Sequence, residues 1–309
     1  MQGKILVIWD LMIDKYSFGE VKRLNPEWPN PLLNVEKEEY RLWWSANVAA
    51  NLSSLDWSCD LIWLVWKDEN AKLMNKLCKD KNINLIDFEL ENFHTILKNR
   101  FIETTYNQQL LRVDYEKKIN ISEEIENNIL EKVIKWNYSF IIISDYNKWI
   151  ITKELIEKIK KIAKERNIKL LADAKPKNYE LFEDFYLIKP NFKEFCDMIG
   201  KEIENKDSEI EKYWVDFVKK MNTNLVITRW KAWASLITKD GKYYHLETEA
   251  KKVFDVSGAG DTFIATIAYA LSKWYDVVKA VELWNSSAWV VVWYVGTVVL
   301  KKSEFLNLI

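Results

Sequence analysis

Glycine is scarce in this chain, at 7 of 309 residues, where ordinary usage is about 7%. Proline is scarcer still, at 5, and three of these fall at 26, 29 and 31. Collagen-like and proline-rich disordered classes are therefore excluded. The three cysteines, Cys59, Cys78 and Cys196, have no metal-ligand spacing and an odd count, which fits reduced thiols in a cytoplasmic protein rather than a disulfide framework. No apolar run reaches membrane length: the longest uncharged stretch, Ala288 to Leu300, is too short for a span of about 20 residues. Met1 to Asp10 lacks the apolar region of a secretory signal. Neither sign of charge dominates, with 45 basic against 46 acidic residues, so nucleic acid and membrane surfaces are not expected partners.

Apolar residues, in contrast, are plentiful. At 49% hydrophobic, a chain of this length can bury a large core, as one α/β domain or two smaller ones. Tryptophan is heavily over-used, with 16 residues.

Along the chain, Lys4 to Ile8 reads as a buried parallel strand ending at Asp10. Residues from Leu11 to Leu42 are mixed and proline-interrupted, like an edge ribbon, and Thr95 to Glu116 alternates well enough to pair with it. Segments of about 12–42 and 95–116 are expected to form a lid. Ser45 to Leu55 reads as a helix of small residues. Strands at Asp60 to Val65, Phe140 to Asp145, Leu170 to Asp173, Phe185 to Ile188 and Leu225 to Thr228 alternate with helices near Asp68 to Lys79, Glu123 to Lys135, Lys153 to Arg166, Asn191 to Ile199 and Ile210 to Met221. Such alternation predicts a mostly parallel sheet with helices on both faces. Several strands end on polar residues, among them Asp10, Asp145, Asp173 and Thr228, and ligands bind at such ends.

The stretch Asp255-Val256-Ser257-Gly258-Ala259-Gly260-Asp261-Thr262-Phe263 carries the most chemistry. Two glycines and an alanine let consecutive backbone N–H groups converge at the start of the apolar helix Ile264 to Leu271, an arrangement that attracts phosphate. Asp261, at the mouth of this cradle, is placed to accept a proton from an attacking hydroxyl. A tight turn followed by an Asp N-cap would leave the same pattern.

Asp255 to Asp261 resembles the Asp-Thr-x-Gly-Ala-Gly-Asp signature of ribokinase-like (phosphofructokinase-B) sugar kinases. The runs Asp10 to Val21, Asn107 to Glu116, Ser144 to Lys148 and Asp173 to Pro176 resemble the branch that phosphorylates D-glycero-β-D-manno-heptose 7-phosphate at O1. That reaction belongs to the ADP-heptose branch of lipopolysaccharide core synthesis. The resemblance implies a ribokinase-like three-layer sandwich with a small β lid, residues 1–309 forming one kinase domain. Many members of the branch carry a fused adenylyltransferase domain with a His-x-Gly-His motif; the histidines here are His94 and His245, so that domain is not expected.

The resemblance also assigns roles. Asp261 is the general base, with the amides of Gly258, Ala259 and Gly260 as the anion hole. Asp14, Asn47 and Asp145 face the sugar, and Lys98, Arg100 and Arg112 are candidates for its 7-phosphate. Lys189, Asn191, Thr228, Asp255, Ser257 and Asn285 fall on the nucleotide side, and Glu194 of an Asn-x-x-Glu motif is the residue for Mg²⁺. The implied ligands are ATP, Mg²⁺ and a monovalent cation, with a homodimer formed through the lid. Other readings are a kinase for a different sugar or nucleoside, and a non-catalytic binding protein on the same fold.

The chain departs from the resembled family in its tryptophans. Trp43 and Trp44 fall where the family has a Gly-Gly pair beside the sugar. Trp9, Trp63, Trp66, Trp149, Trp230, Trp233, Trp289 and Trp293 also fall on family glycines. Overpacking costs about 1 to 3 kcal/mol per site, so two readings follow: the molecule carries glycine where this sequence reads tryptophan, or it is a rearranged, catalytically impaired relative whose sugar pocket Trp43 and Trp44 fill; the mass of the intact protein separates them.

Overall fold

The computed structural model describes residues 3–8, 11–90, 94–116, 121–146, 151–229, 234–246, 259–291, 299–300 and 302–306. The strands are β1 (Lys4–Ile8), β2 (Leu11–Leu24), β3 (Pro31–Trp44), β4 (Cys59–Val65), β5 (Asn84–Glu89), β6 (Leu97–Glu103), β7 (Gln108–Tyr115), β8 (Tyr138–Ser144), β9 (Lys169–Asp173), β10 (Leu187–Ile188), β11 (Asn224–Thr228), β12 (Ala234–Ile237) and β13 (Tyr243–Leu246). The helices are α1 (Ser45–Ser54), α2 (Glu69–Asp80), α3 (Glu123–Lys135), α4 (Lys153–Arg166), α5 (Phe192–Ile199), α6 (Asp207–Met221), α7 (Ala259–Ser272), α8 (Val277–Val291) and α9 (Lys302–Leu306).

Nine strands form one sheet in the order β13-β12-β11-β10-β9-β8-β1-β4-β5. It is parallel from β5 to β11, while β12 and β13 close one edge antiparallel. The strands are near-continuous apolar runs because both faces are covered. Alternate side chains divide between two cores. Ile5, Val7, Leu61, Trp63, Phe140 and Ile142 pack with α1, α2, α7 and α8. Leu6, Ile8, Ile62, Leu64, Ile141 and Ile143 pack with α3 to α6. This period-2 split is what makes three layers from one sheet. Trp63 is absorbed into the first core at 2% exposure.

The helix ends follow local chemistry. Asp68, Ser122 and Thr152 each accept a backbone N–H two residues into α2, α3 and α4, and Asn191 and Glu194 close a capping box on α5. Asn167 and Asn222 end α4 and α6 in the left-handed conformation.

A second sheet, in the order β3-β2-β6-β7, is built from the two regions read as ribbon. The region 11–44 is more regular than its mixed composition predicts: β2 and β3 are each 14 residues and pair antiparallel along their length. Tertiary pairing with β6 supplies the order that local pattern lacks. The strand expected at Phe185 to Ile188 shrinks to β10, Leu187–Ile188. Helix α8 takes up a part of the chain for which the sequence reading assigned no element.

Candidate active site

In the central sheet, β1 lies between β4 and β8, so the chain order reverses direction there and a crevice opens at the carboxyl ends of the strands. Asp145 and Tyr146 leave the end of β8, Asp173 ends β9, and Lys189 follows β10. The start of α7 faces them with Gly260 and Asp261. A Cβ at Gly260 would lie 3.2 Å from Lys189 Nζ and 3.6 Å from Asp173 Oδ2, so the missing side chain lets a cation press against the helix mouth.

Asp261 is 3% exposed. Its Oδ2 accepts from Asn47 Nδ2 at 3.1 Å and its Oδ1 from the Tyr146 hydroxyl at 2.7 Å. Burial pushes its carboxyl up to about 7; the Tyr146 and Asn47 bonds pull down, Asp173 pushes up and Lys189 pulls down. A carboxyl tuned to that range is a useful base at neutral pH. Asn47 is held in turn by α1: Asn51, one turn on, donates to the Asn47 carbonyl at 2.8 Å, while its Oδ1 accepts from Thr262 Oγ1 at 3.4 Å and from the Leu300 backbone N–H at 3.1 Å.

On the other side, Lys189 Nζ pairs with Asp173 Oδ2 at 2.9 Å, both buried, while Asp173 Oδ1 is buried with no partner. Lys175 binds Glu194, whose other oxygen accepts the Asn191 backbone N–H at 2.8 Å. Asn191 itself is occupied as the cap of α5, accepting the Glu194 N–H at 2.9 Å, and its backbone bridges to Thr228 at the end of β11.

Some candidates are placed differently from a sugar-side cluster. Asp145 is fully buried and accepts from Lys175 N and Asn178 Nδ2, both at 3.4 Å, so it ties down the loop after β9. Asp14, on β2, is fully buried and is engaged by Arg100 Nε at 3.0 and 3.3 Å. Burial raises its carboxyl, against the Tyr16 bond and Arg100. The guanidinium of Arg100 lies 4.6 Å from the Trp43 ring centre and donates to Gln109 Oε1 at 3.1 Å. Lys98 and Arg112 both reach Asp114, at 3.8 and 2.9 Å. The lid cations therefore sit against lid acids. Asn285 lies in α8, half-buried. The backbone of Ala259 begins α7, whereas Gly258, Asp255 and Ser257 lie outside the described residues, as do Trp9, Trp149, Trp230, Trp233 and Trp293. Of Trp44 and Trp289 only the backbone is described.

Sequence reasoning passes over Tyr146 and Lys175 as site residues, and carries Asp173 only as one of several polar strand ends. Their signal was their position just after β8 and at and after β9, shared with many helix caps.

A buried carboxyl poised near neutrality, a helix N-terminus, the buried Lys189 and the half-buried Lys175 around one crevice define a class: an α/β phosphotransferase working at the switch point of its sheet. Residues 44–302 match the pfkB family carbohydrate kinase model. The chain belongs to that family and is a sugar kinase. Among similar proteins, the bifunctional protein HldE of Haemophilus influenzae (strain PittEE) is 35% identical over 311 residues, covering 100% of this chain and 64% of its own length. HldE of Pasteurella multocida (strain Pm70) is 33% identical with the same coverage. The chain thus spans about 64% of these relatives. Escherichia coli phosphofructokinase-2 in complex with substrates and products superposes with a TM-score of 0.81 at 15% identity, covering 100% of this chain and 98% of that one. Arabidopsis thaliana ribokinase complexed with ribose and ATP gives 0.77 at 16%, covering 100% and 99%. These structural likenesses bear on the fold. Among the described residues, no helix is long and apolar enough to cross a membrane.

Proposed function

We propose that the chain transfers the γ-phosphoryl group of ATP to the O1 hydroxyl of D-glycero-β-D-manno-heptose 7-phosphate, in ADP-heptose and lipopolysaccharide core synthesis. The observation that carries the reading is Asp261: a buried carboxyl at a helix mouth, raised to about 7 and steered by Asn47. It accepts the O1 proton as the oxygen attacks phosphorus in line, with no covalent enzyme intermediate. Backbone amides of Gly258, Ala259 and Gly260, with the Lys189 ammonium against Gly260, stabilise the charge on the moving phosphoryl group. Similarity to HldE along the whole chain supports the heptose substrate.

A hard divalent cation fits the acids present. Glu194 and the unpartnered Asp173 Oδ1 are the residues that would hold Mg²⁺. Among the described residues no group of three His, Cys, Asp or Glu forms an all-protein cage, in keeping with an ion that retains several waters. When bound, Mg²⁺ supplies charge neutralisation for the ATP phosphates. A monovalent cation is a second proposed ligand, since phosphofructokinase-2 has been solved in complex with potassium.

The β3-β2-β6-β7 sheet acts as the lid of one kinase domain of residues 1–309 and pairs two copies. Exposed Leu110, Leu111 and Tyr115 on β7 and Val35 on β3 support that contact, and light scattering tests it. The reaction's reagents suit a cytoplasmic setting.

An impaired relative is the second reading, favoured by Trp43. Its ring holds Arg100 over Asp14, where the resembled family keeps sugar-binding space. An ADP-release assay across phosphorylated sugars and nucleosides tests both. Turnover fastest with heptose 7-phosphate supports the first, and turnover with ribose or fructose phosphates instead would reassign the substrate. No turnover with any of them supports impairment.

A further inference from the structure

Both oxygens of Asp261 are bonded, and one donor has no part in the mechanism above. Tyr146 stands just past the end of β8, 115 positions from Asp261, and its hydroxyl lies 2.7 Å from Oδ1. Its ring packs against Met12 and Ile96 on the lid side and against the core under β8 and α4. The Lys175 ammonium lies 5.7 Å from the ring centre. The phenol is raised well above its ordinary range by burial and by Asp261 and Asp173, so it is always a donor at neutral pH. The charged groups facing this pair are Asp173 from β9, Lys189 after β10 and Lys175 after β9.

We propose that Tyr146 is a positioning residue of the transfer reaction, its hydroxyl orienting the Asp261 carboxylate and stabilising its ionised form. A tyrosine buried for packing alone needs some partner for its hydroxyl. Here the partner is the acid at the mouth of the cradle, and the bond is stronger when that acid is charged. The phenol therefore favours the state of Asp261 that can accept a proton, offsetting part of the desolvation that opposes it. The inference rests on the reading of Asp261 as the base.

The test uses the full chain labelled with ¹³C-aspartate, with Asp261→Asn assigning the Asp261 carboxyl resonance. In Tyr146→Phe, which keeps the ring, the Asp261 midpoint is expected to move to higher pH than in the wild type. With 3-fluorotyrosine at 146, a more acidic donor, it is expected to move lower. A midpoint unmoved by both overturns the proposal, whatever the enzyme's substrate. In the ADP-release assay with heptose 7-phosphate, the acid limb of kcat/KM shifts in the same directions. For Tyr146→Phe, kcat falls about tenfold, the size of one hydrogen bond to a charged group, with KM for ATP unchanged. Wild-type turnover in Asp261→Asn would remove the base assignment, whereas an inactive Asp261→Asn beside a Tyr146→Phe that titrates like wild type would remove this inference alone.

Discussion

The side-chain amide of Asn47, on the first helix of the chain, donates to Oδ2 of Asp261 at 3.1 Å across 214 positions of sequence. This bond joins α1 to α7 and fixes the carboxylate before any substrate arrives, which makes the pair the most direct target for mutation. Asp261→Asn is expected to lower kcat by about a thousandfold, the usual worth of a positioned general base, with little change in KM for ATP. Asn47→Ala leaves the acid in place but frees one oxygen, so a smaller loss of about tenfold is expected. Steady-state ADP release measures both. Full activity in Asp261→Asn would sink the mechanism.

The same carboxyl makes activity and stability respond oppositely to pH. As a base it must be ionised, so kcat/KM should fall as pH drops through about 7. For stability, a carboxyl raised in the folded state contributes most when protonated. That contribution is complete below the unfolded-chain value of about 4 and is lost as pH rises through about 7. Asp261→Asn removes the ionisation, so the variant should be more stable than the wild type at about pH 8, with the gap closing toward about pH 5. Urea midpoints at the two pH values check this. Parallel profiles for the two proteins would mean the carboxyl is not raised.

Trp43 governs the lid side. Its ring backs the Arg100 guanidinium, which in turn neutralises the buried Asp14. A cation stacked on an indole gains about 0.5 to 2 kcal/mol, and on the proposed reading an acceptor sugar competes with Arg100 for Asp14. Trp43→Gly removes the backing ring and opens the space beside it. Heptose 7-phosphate affinity by calorimetry should rise about 2- to 30-fold, the equivalent of that 0.5 to 2 kcal/mol. An affinity that stays the same or falls would show that the ring supports sugar binding instead of obstructing it.

The sheet was legible because its strands are apolar runs between capped helices, and that periodicity is written locally. Of the glycine cradle, the described part is the start of α7, where Gly260 leaves room for the Lys189 ammonium. The lid was only half legible. Leu11 to Leu24 and Pro31 to Trp44 have no clean alternation; they pair with each other as a hairpin, and β2 is ordered further by β6, about 80 residues distant, as in the bond between Ser17 and Asn99. Pairings such as Arg100 with Asp14 and Lys189 with Asp173 left no trace in sequence spacing. Any Lys or Arg could have met any acid until the strands set the register. Tyr146 was missed for a related reason: one tyrosine among 14 carries no mark of what its hydroxyl will meet.

The tryptophan excess ends in a stability prediction at Trp274. Among the described non-glycine residues with positive φ, the other six are Asn or Asp; the seventh is Trp274, at φ 70°. It follows the last turn of α7, where its N–H bonds to the Leu271 carbonyl at 3.1 Å and that of Tyr275 to the Ala270 carbonyl at 3.3 Å. This paired closure calls for glycine at the left-handed position. The indole recovers nothing by burial, being 96% exposed. Trp274→Gly is therefore expected to stabilise the protein by about 1 kcal/mol, from relief of a left-handed cost of roughly 1 to 2 kcal/mol partly offset by the freedom glycine gains in the unfolded chain. For a chain of this size that is a rise in Tm of roughly 1.5 °C, measurable by calorimetry. Trp274→Ala separates the terms, since alanine keeps the backbone strain and should gain little. Equal stability in all three proteins would show that the end of α7 does not hold residue 274 left-handed in solution. The same geometry bears on the protein as its native cell makes it: mass spectrometry of the peptide spanning position 274 reads the residue inserted there, and glycine is the residue this backbone calls for.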